Sequence, residues 1–216
     1  GPADRGAADV VENLRGPAVR RPDGLVEAPE EVYLDVNTLA QGHAYFRIGV
    51  LESSPDQQLL AYSTDTDGDE DYTIQILDFE IGLFPDRIPK TYYAVEWAQD
   101  NRSLFYNVID ESKRPFRVYR HELGNAASAD VLVFEEQDQR YTLNVSKTRS
   151  KRFLLLESSS STTTEIQILD AHKPLSEPRI FRERQLEVEY SLTHQEEHIF
   201  LRINDRGRNF RLVRCP

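Results

Sequence analysis

Short runs in which β-branched, aromatic and aliphatic residues alternate with polar ones follow each other along this chain. The same run returns about every 46 residues. Thr73-Ile74-Gln75-Ile76-Leu77 matches Arg117-Val118-Tyr119-Arg120-His121, then Glu165-Ile166-Gln167-Ile168-Leu169, then Arg211-Leu212-Val213-Arg214. The anchors Ile74, Val118, Ile166 and Leu212 lie about 44, 48 and 46 residues apart. Alternation with a period of two suits a half-buried strand, whose successive side chains point to opposite faces. A repeat of this length that holds several strands is the signature of a β-propeller. Each repeat is a small sheet that cannot cover its own faces and is stable only against its neighbour.

Three clear strands and a weaker fourth are predicted in each repeat. In the first blade they are Arg47–Leu51, Leu59–Thr64, Tyr72–Leu77 and a faint Leu83–Ile88. The second blade has Tyr93–Trp97, Ser103–Ile109, Phe116–Glu122 and Val131–Glu135. The third has Thr142–Ser146, Phe153–Ser158, Glu165–Asp170 and Arg179–Arg182. The fourth begins with Tyr190–Thr193, His198–Ile203 and Phe210–Val213. Ser54-Pro55-Asp56 and Gln99-Asp100-Asn101 carry turn chemistry between first and second strands. Thr66-Asp67-Gly68-Asp69, Glu111–Pro115, Ser159–Thr163 and Asp205-Arg206-Gly207 take the next turn of each blade. The fold class is therefore all-β: a partial propeller of about four blades, three complete and the fourth truncated, each a four-stranded antiparallel sheet. One short helix is expected at Asn37–Ala40, capped by Asp35 or Asn37 and ended by Gly42.

The propeller is expected to occupy 30–216. The segment 1–29 is broken by Pro2, Gly6, Gly16, Pro17, Pro22, Gly24 and Pro29, and reads as extended or disordered, with one helical turn near Asp9–Leu14. It lacks an apolar stretch of the kind a secretory signal needs. Arg20-Arg21 has a transit sequence as its alternative reading, which the scattered acids oppose. The chain has no methionine, which points to a processed or excerpted product. An unclosed set of blades exposes a sheet edge. The missing blades are then expected from the rest of a longer chain, from a second copy, or from a covering partner.

Charge narrows the function. The net charge of −11 repels phosphate backbones and anionic lipid, so neither nucleic acid nor membrane is an expected partner. The one cysteine, Cys215, allows no internal disulfide and no Cys-based zinc site. A cytoplasmic or organellar location, with the chloroplast stroma as one case, fits better than secretion.

Several strings resemble the oligopeptidase B branch of the prolyl oligopeptidase family of serine peptidases. Glu30-Glu31-Val32-Tyr33-Leu34-Asp35-Val36-Asn37 and Leu39-Ala40-Gln41-Gly42-His43-Ala44-Tyr45-Phe46 are similar to the start of that family's propeller. Ser54-Pro55-Asp56, Leu60-Ala61-Tyr62 and Gly68-Asp69-Glu70 with Tyr72 resemble its first blade. The most specific match is to its second blade: Asp110-Glu111, Arg114-Pro115, Val118, His121 and Leu123-Gly124. Leu212-Val213 with Cys215-Pro216 is similar to plant and algal members. The resemblance implies a seven-bladed lid over an α/β-hydrolase domain, which admits short peptides and excludes folded proteins. It also implies cleavage after basic residues. In that family the catalytic serine, aspartate and histidine follow the propeller, so no catalytic residue is carried over to this chain.

The residues themselves agree. A nucleophile elbow requires Gly-x-Ser-x-Gly, and no such string occurs. The serine run Ser158–Ser161 reads as a flexible turn. Asp65–Asp71 is rich in carboxylates, but an EF-hand loop needs glycine at its sixth position and glutamate at its twelfth, where this chain has Glu70 and Ile76. It reads as a solvated hairpin whose functional alternative is to draw cationic peptides through Asp67, Asp69 and Asp71. His194 and His198 flank a strand turn and lack the helical setting of a metal pair. His43 reads as a packing or hydrogen-bonding residue, and Trp97 and Tyr93 as core or blade-to-blade packing. Asp110, Glu111 and Arg114 read as an ion cluster pinning their hairpin. Asn101-Arg102-Ser103 and Asn144-Val145-Ser146 match a glycosylation sequon of little weight without a signal peptide. No catalytic, metal-ligating or cofactor-binding residue is assigned. The expected function is the lid portion of an oligopeptidase B-like peptidase, inactive alone, with the hydrolase domain and short peptides as partners. The alternative is a propeller fragment that binds a protein partner or a second copy; an autonomous enzyme has little support.

Overall fold

A computed structural model describes residues 15–19 and 28–215, with side chains from Val32 onward. The expected helical turn at Asp9–Leu14 and the pair Arg20-Arg21 lie outside the described residues. Two short strands, β1 (Arg15–Val19) and β2 (Ala28–Glu31), pair antiparallel with each other. The helix α1 spans Val36–Leu39, and of the two candidate caps Asp35 is the one used. Its carboxylate takes the N–H groups of Asn37 and Thr38 that the first helical turn leaves unpaired.

Antiparallel strands then follow in chain order. The first blade contains β3 (Arg47–Ser53), β4 (Leu59–Asp65) and β5 (Tyr72–Asp78), and continues into β6 (Gly82–Trp97). The second continues with β7 (Ser103–Ile109), β8 (Pro115–Glu122) and β9 (Val131–Glu135). The third is a separate four-stranded sheet of β10 (Thr142–Lys147), β11 (Phe153–Ser159), β12 (Thr164–Asp170) and β13 (Arg179–Arg182). A three-stranded sheet follows: β14 (Tyr190–Gln195), β15 (His198–Ile203) and β16 (Arg211–Cys215).

One expectation is corrected here. The faint strand Leu83–Ile88 and the strand Tyr93–Trp97 are not separate. They are the two halves of β6, which joins the first two blades into one seven-stranded sheet. Residues up to Thr91 pair with β5, and residues from Thr91 onward pair with β7. No turn-forming pair interrupts the strand. It bends instead at Lys90, whose φ is 59°, and at register shifts on both sides of Thr91. Such bulges turn a strand without ending it. The Thr91 hydroxyl donates to the Tyr72 carbonyl at the bend.

The core is built between blades. One cluster combines Ile74 and Ile76 of the first blade with Leu104 and Tyr106 of the second, around Trp97. A second joins Phe105 and Val118 to Leu143, Leu154 and Leu156 of the third. A third joins Leu155 and Ile166 to Tyr190, Leu201 and Ile203 of the fourth. Each blade thus buries its faces only against its neighbours, as a repeat fold requires. The innermost strands are also stitched in series. Trp97 Nε1 donates to the Glu52 carbonyl at 2.9 Å, and Lys147 Nζ donates to the Trp97 carbonyl at 2.8 Å. Close approach explains Gly49: a Cβ there would sit 2.5 Å from the Tyr72 ring.

Candidate functional site

The turns that follow the second strand of each blade form a connected, charge-rich rim. In the first blade, buried Asp65 organises its turn by accepting the N–H groups of Asp67, Gly68 and Glu70 at 3.1, 2.8 and 3.1 Å. Burial works against the Asp65 charge, but those three donors outweigh it and hold its pKa below the ordinary carboxylate value. One carboxylate oxygen from each of Asp65, Asp67 and Asp69 lies within 4.8 Å of the others. Both Asp65 oxygens already serve the backbone, so the turn has a structural reason for that crowding. Lys113 of the second blade neutralises part of it, 3.0 Å from Asp71 and 3.9 Å from Asp69.

The next turn is held by Asp110. Its carboxylate accepts from the Ser112 N–H and hydroxyl, and from the Arg114 N–H and Nε. Burial opposes the charge, yet these bonds lower the Asp110 pKa to about 2. Glu111, expected in the same cluster, is exposed and takes no part. Arg114 reaches further than its own hairpin, donating to the Tyr141 carbonyl at 2.9 Å and so tying the second blade to the third. Beyond it, Arg184 bridges Glu136 at 2.6 Å and Glu165 at 3.1 Å, with its guanidinium 4.0 Å above the Tyr141 ring. Burial works against its charge, but the two carboxylates push the Arg184 pKa above the ordinary value. Asp205 then pairs with Arg211 and Arg182.

Away from the rim, three buried groups form a compact ionic set. His121 Nδ1 is 2.7 Å from Asp130 Oδ1, and His121 Nε2 is 3.1 Å from Asp86 Oδ2. The side chains of all three are nearly free of solvent. Asn107, also buried, pairs with the third blade as a strand would. Its amide donates to the Leu143 carbonyl and accepts the Val145 N–H, both at 3.0 Å.

With this architecture in place, comparison with known proteins is decisive. Residues 14–216 match the family described as "Prolyl oligopeptidase, N-terminal beta-propeller domain". The chain belongs to the prolyl oligopeptidase family. Within it, this propeller is 39% identical to Protease 2 of Moraxella lacunata over 89% of the chain and 28% of that protein. It is 35% identical to dipeptidyl aminopeptidase BI of Pseudoxanthomonas mexicana over 88% of the chain and 26% of that protein. Among solved structures it resembles oligopeptidase B from Leishmania major, with a TM-score of 0.83 and 30% identity over 91% of the chain and 28% of that protein. The chain thus spans less than a third of the length of these relatives.

Within this family propeller the other sequence candidates fall into place. Trp97 is fully buried between the first two blades, as expected of a core residue. Tyr93, just past the β6 bend, is 45% exposed and packs blade to blade rather than in the core, its ring edge-on to that of Tyr72 at 5.9 Å and its hydroxyl 2.7 Å from that of Tyr92. His43 is exposed, with its ring 5.9 Å from that of Phe46. His194 uses Nδ1 on the Ser150 hydroxyl, while His198 lies on the neighbouring strand opposite Gln195. In the serine run, Ser158 is buried and Ser160 N–H closes the turn onto the Thr163 carbonyl. Asn101 of the first sequon accepts the Asp56 N–H, linking equivalent turns of two blades, and Asn144 of the second is exposed on β10. Sequence reasoning missed Asn107, Lys147 and the partners of His121. Asp86 and Asp130 lie 35 and 9 residues from His121, at no spacing that a motif would show.

Proposed function

We propose that this chain is the amino-terminal part of a lid that gates peptide access to the hydrolase domain of an oligopeptidase B-like serine peptidase. The observation that carries this reading is the likeness to the Leishmania major enzyme over 91% of the chain. A second neighbour, oligopeptidase B from Trypanosoma brucei, matches 94% of the chain at 28% identity with a TM-score of 0.80. It was solved in a closed form with covalently bound antipain. A lid must possess such a form. Blades packed through continuous cores make a stiff wall, which passes a flexible peptide and stops a folded domain.

The rim adds an electrostatic element. Asp67 and Asp69 face solvent, and the chain carries a net charge of −11. That field draws cationic peptides. Lys113 takes up much of Asp71, so Asp67 and Asp69 carry the effect.

The test uses the complete polypeptide with its hydrolase activity. A short basic peptide should be cleaved, and the same sequence displayed on a folded protein should not. Joint replacement Asp67→Asn and Asp69→Asn should lower kcat/KM for a dibasic peptide by roughly threefold at low salt, with no change for a neutral peptide and none at high salt. Equal cleavage of peptide and folded substrate would sink the lid. A kcat/KM that ignores both substitution and salt would sink the electrostatic part alone.

A further inference from the structure

The ionic set at His121 does more than fill space. His121 lies on β8 of the second blade, Asp86 on the outer half of β6 in the first, and Asp130 at the end of the loop that follows β8. That loop contributes Leu123 and Ala127 to the core between the two blades. The Gly124 N–H donates to Asp86 Oδ2, the oxygen that also faces His121 Nε2. The Tyr106 hydroxyl of β7 donates to Asp130 Oδ2 at 2.7 Å. Leu104, opposite His121 on β7, is apolar. Among the described residues no lysine or arginine pairs with Asp86 or Asp130, so the imidazole is their one cationic partner.

The geometry sets a proton count. A carboxylate only accepts, and a neutral imidazole has a single N–H. Both ring nitrogens face carboxylate oxygens at hydrogen-bond distance. With both carboxyl groups ionised, two N–H groups are therefore required, and the ring that satisfies both contacts is the imidazolium. We propose that Asp86, His121 and Asp130 form a proton-operated latch between the first and second blades, closed while the imidazole holds both protons and released when it loses one. Loss of a proton sets a nitrogen lone pair against a buried carboxylate and leaves that carboxylate one donor short, a costly state for buried groups. Release acts on the loop 123–130, which apart from the latch is held by the Leu123 N–H on the Arg102 carbonyl, by short-range turn bonds and by the packing of Leu123 and Ala127 against the core.

The titration runs in the matching direction. Burial works against the His121 charge, but the bonds to Asp130 and Asp86 outweigh it and lift its pKa above the ordinary 6.5. A group raised in this way contributes its full stabilisation below 6.5 and loses it as pH climbs through the folded-state value.

The experiment follows the imidazoles of the full chain by nitrogen NMR while amide exchange reports on Gly124. His121 should titrate above the ordinary 6.5. Beyond that point the protection factor of the Gly124 amide, corrected for intrinsic exchange, should fall about tenfold per pH unit. In Asp130→Asn the side-chain amide donates to an unprotonated Nδ1 while its carbonyl still accepts from Tyr106, so a neutral ring satisfies every contact. That variant should bring the His121 midpoint to 6.5 or below and abolish the step in Gly124 protection. Tyr106→Phe removes only the hydroxyl and should retain the step. A wild-type His121 with its midpoint at or below the ordinary 6.5 would overturn the latch without any variant. So would a Gly124 step that survives unchanged in Asp130→Asn.

Discussion

The joint between the first two blades and the joint between the last two solve one problem with different chemistry. Between blades one and two a single strand, β6, runs through both sheets, Trp97 fills the core, and Asp86, His121 and Asp130 are buried at the outer end. Between blades three and four the chain breaks into separate sheets, and the core of Leu155, Ile166, Leu201 and Ile203 is aliphatic. A buried polar device here is Tyr190, whose hydroxyl accepts the Ile166 N–H and donates to the Arg182 carbonyl. Burial pushes the Tyr190 pKa up to about 12, so the hydroxyl stays protonated through the neutral range. Apolar burial supplies free energy without a geometric code. Buried charges add little net stability, but they demand one arrangement and one protonation state. The buried set of the first joint is thus tied to pH, while the Tyr190 hydroxyl of the last keeps its proton and the charged pair there, Arg182 with Asp205, lies nearer the surface.

The largest effect should come from emptying the first joint. Trp97→Ala removes the biggest side chain of that core together with the bond to the Glu52 carbonyl. It should cost about 3–5 kcal/mol in equilibrium denaturation. Leu201→Ala in the last joint should cost about 2–5 kcal/mol. If the contrast holds, the Leu201→Ala loss is the same at pH 6 and at pH 9. A Leu201→Ala penalty that grows with pH would show that the last joint is also charge-dependent, and the comparison would fail.

The middle joint tests a neutral polar device. Asn107→Ala strips one donor and one acceptor that stand in for a strand pairing, leaving the Leu143 carbonyl and Val145 N–H unpaired in a buried interface. About 1–3 kcal/mol should be lost, with no pH dependence. Hydrogen exchange at Val145 should rise well before exchange in the sheet of the fourth blade.

The strand pattern was legible because it obeys local rules. Alternation placed Leu59–Thr64 and Ser103–Ile109 on strands, and turn residues placed the breaks. The exception, β6, shows the limit. A strand that bends at Lys90 and changes partner at Thr91 has no local signature that separates it from two short strands. The rim was half legible: Asp110 and Arg114 pair within one hairpin, four residues apart, and can be read as a pair. The reach of Arg114 to Tyr141, the hold of Lys113 on Asp71, and the two carboxylates at His121 are made across blades. They depend on how repeats stack, and no single repeat contains that information. His121 stood in the string that resembled the family, but one histidine on a strand says nothing of its partners.

The smallest effect belongs to the rim and works at the opposite end of the pH range. Asp110 has its pKa lowered to about 2 from an ordinary 3.8. A carboxyl lowered in this way stabilises fully above 3.8, and its contribution fades as pH falls through about 2. Its side chain is a quarter exposed at the rim, so screening keeps the effect below about 1 kcal/mol. Asp110→Asn should therefore lower Tm slightly at pH 6 and remove part of the loss of Tm between pH 4 and pH 2. Combined with Asp130→Asn it gives a sharper test than either change alone. If latch and rim are independent, the double variant loses the alkaline step and part of the acid slope, each by the amount of its single variant. If one substitution alters the other's pH response, the rim and the latch are coupled through the length of β8, and the joint is a larger unit than the three residues at its outer end.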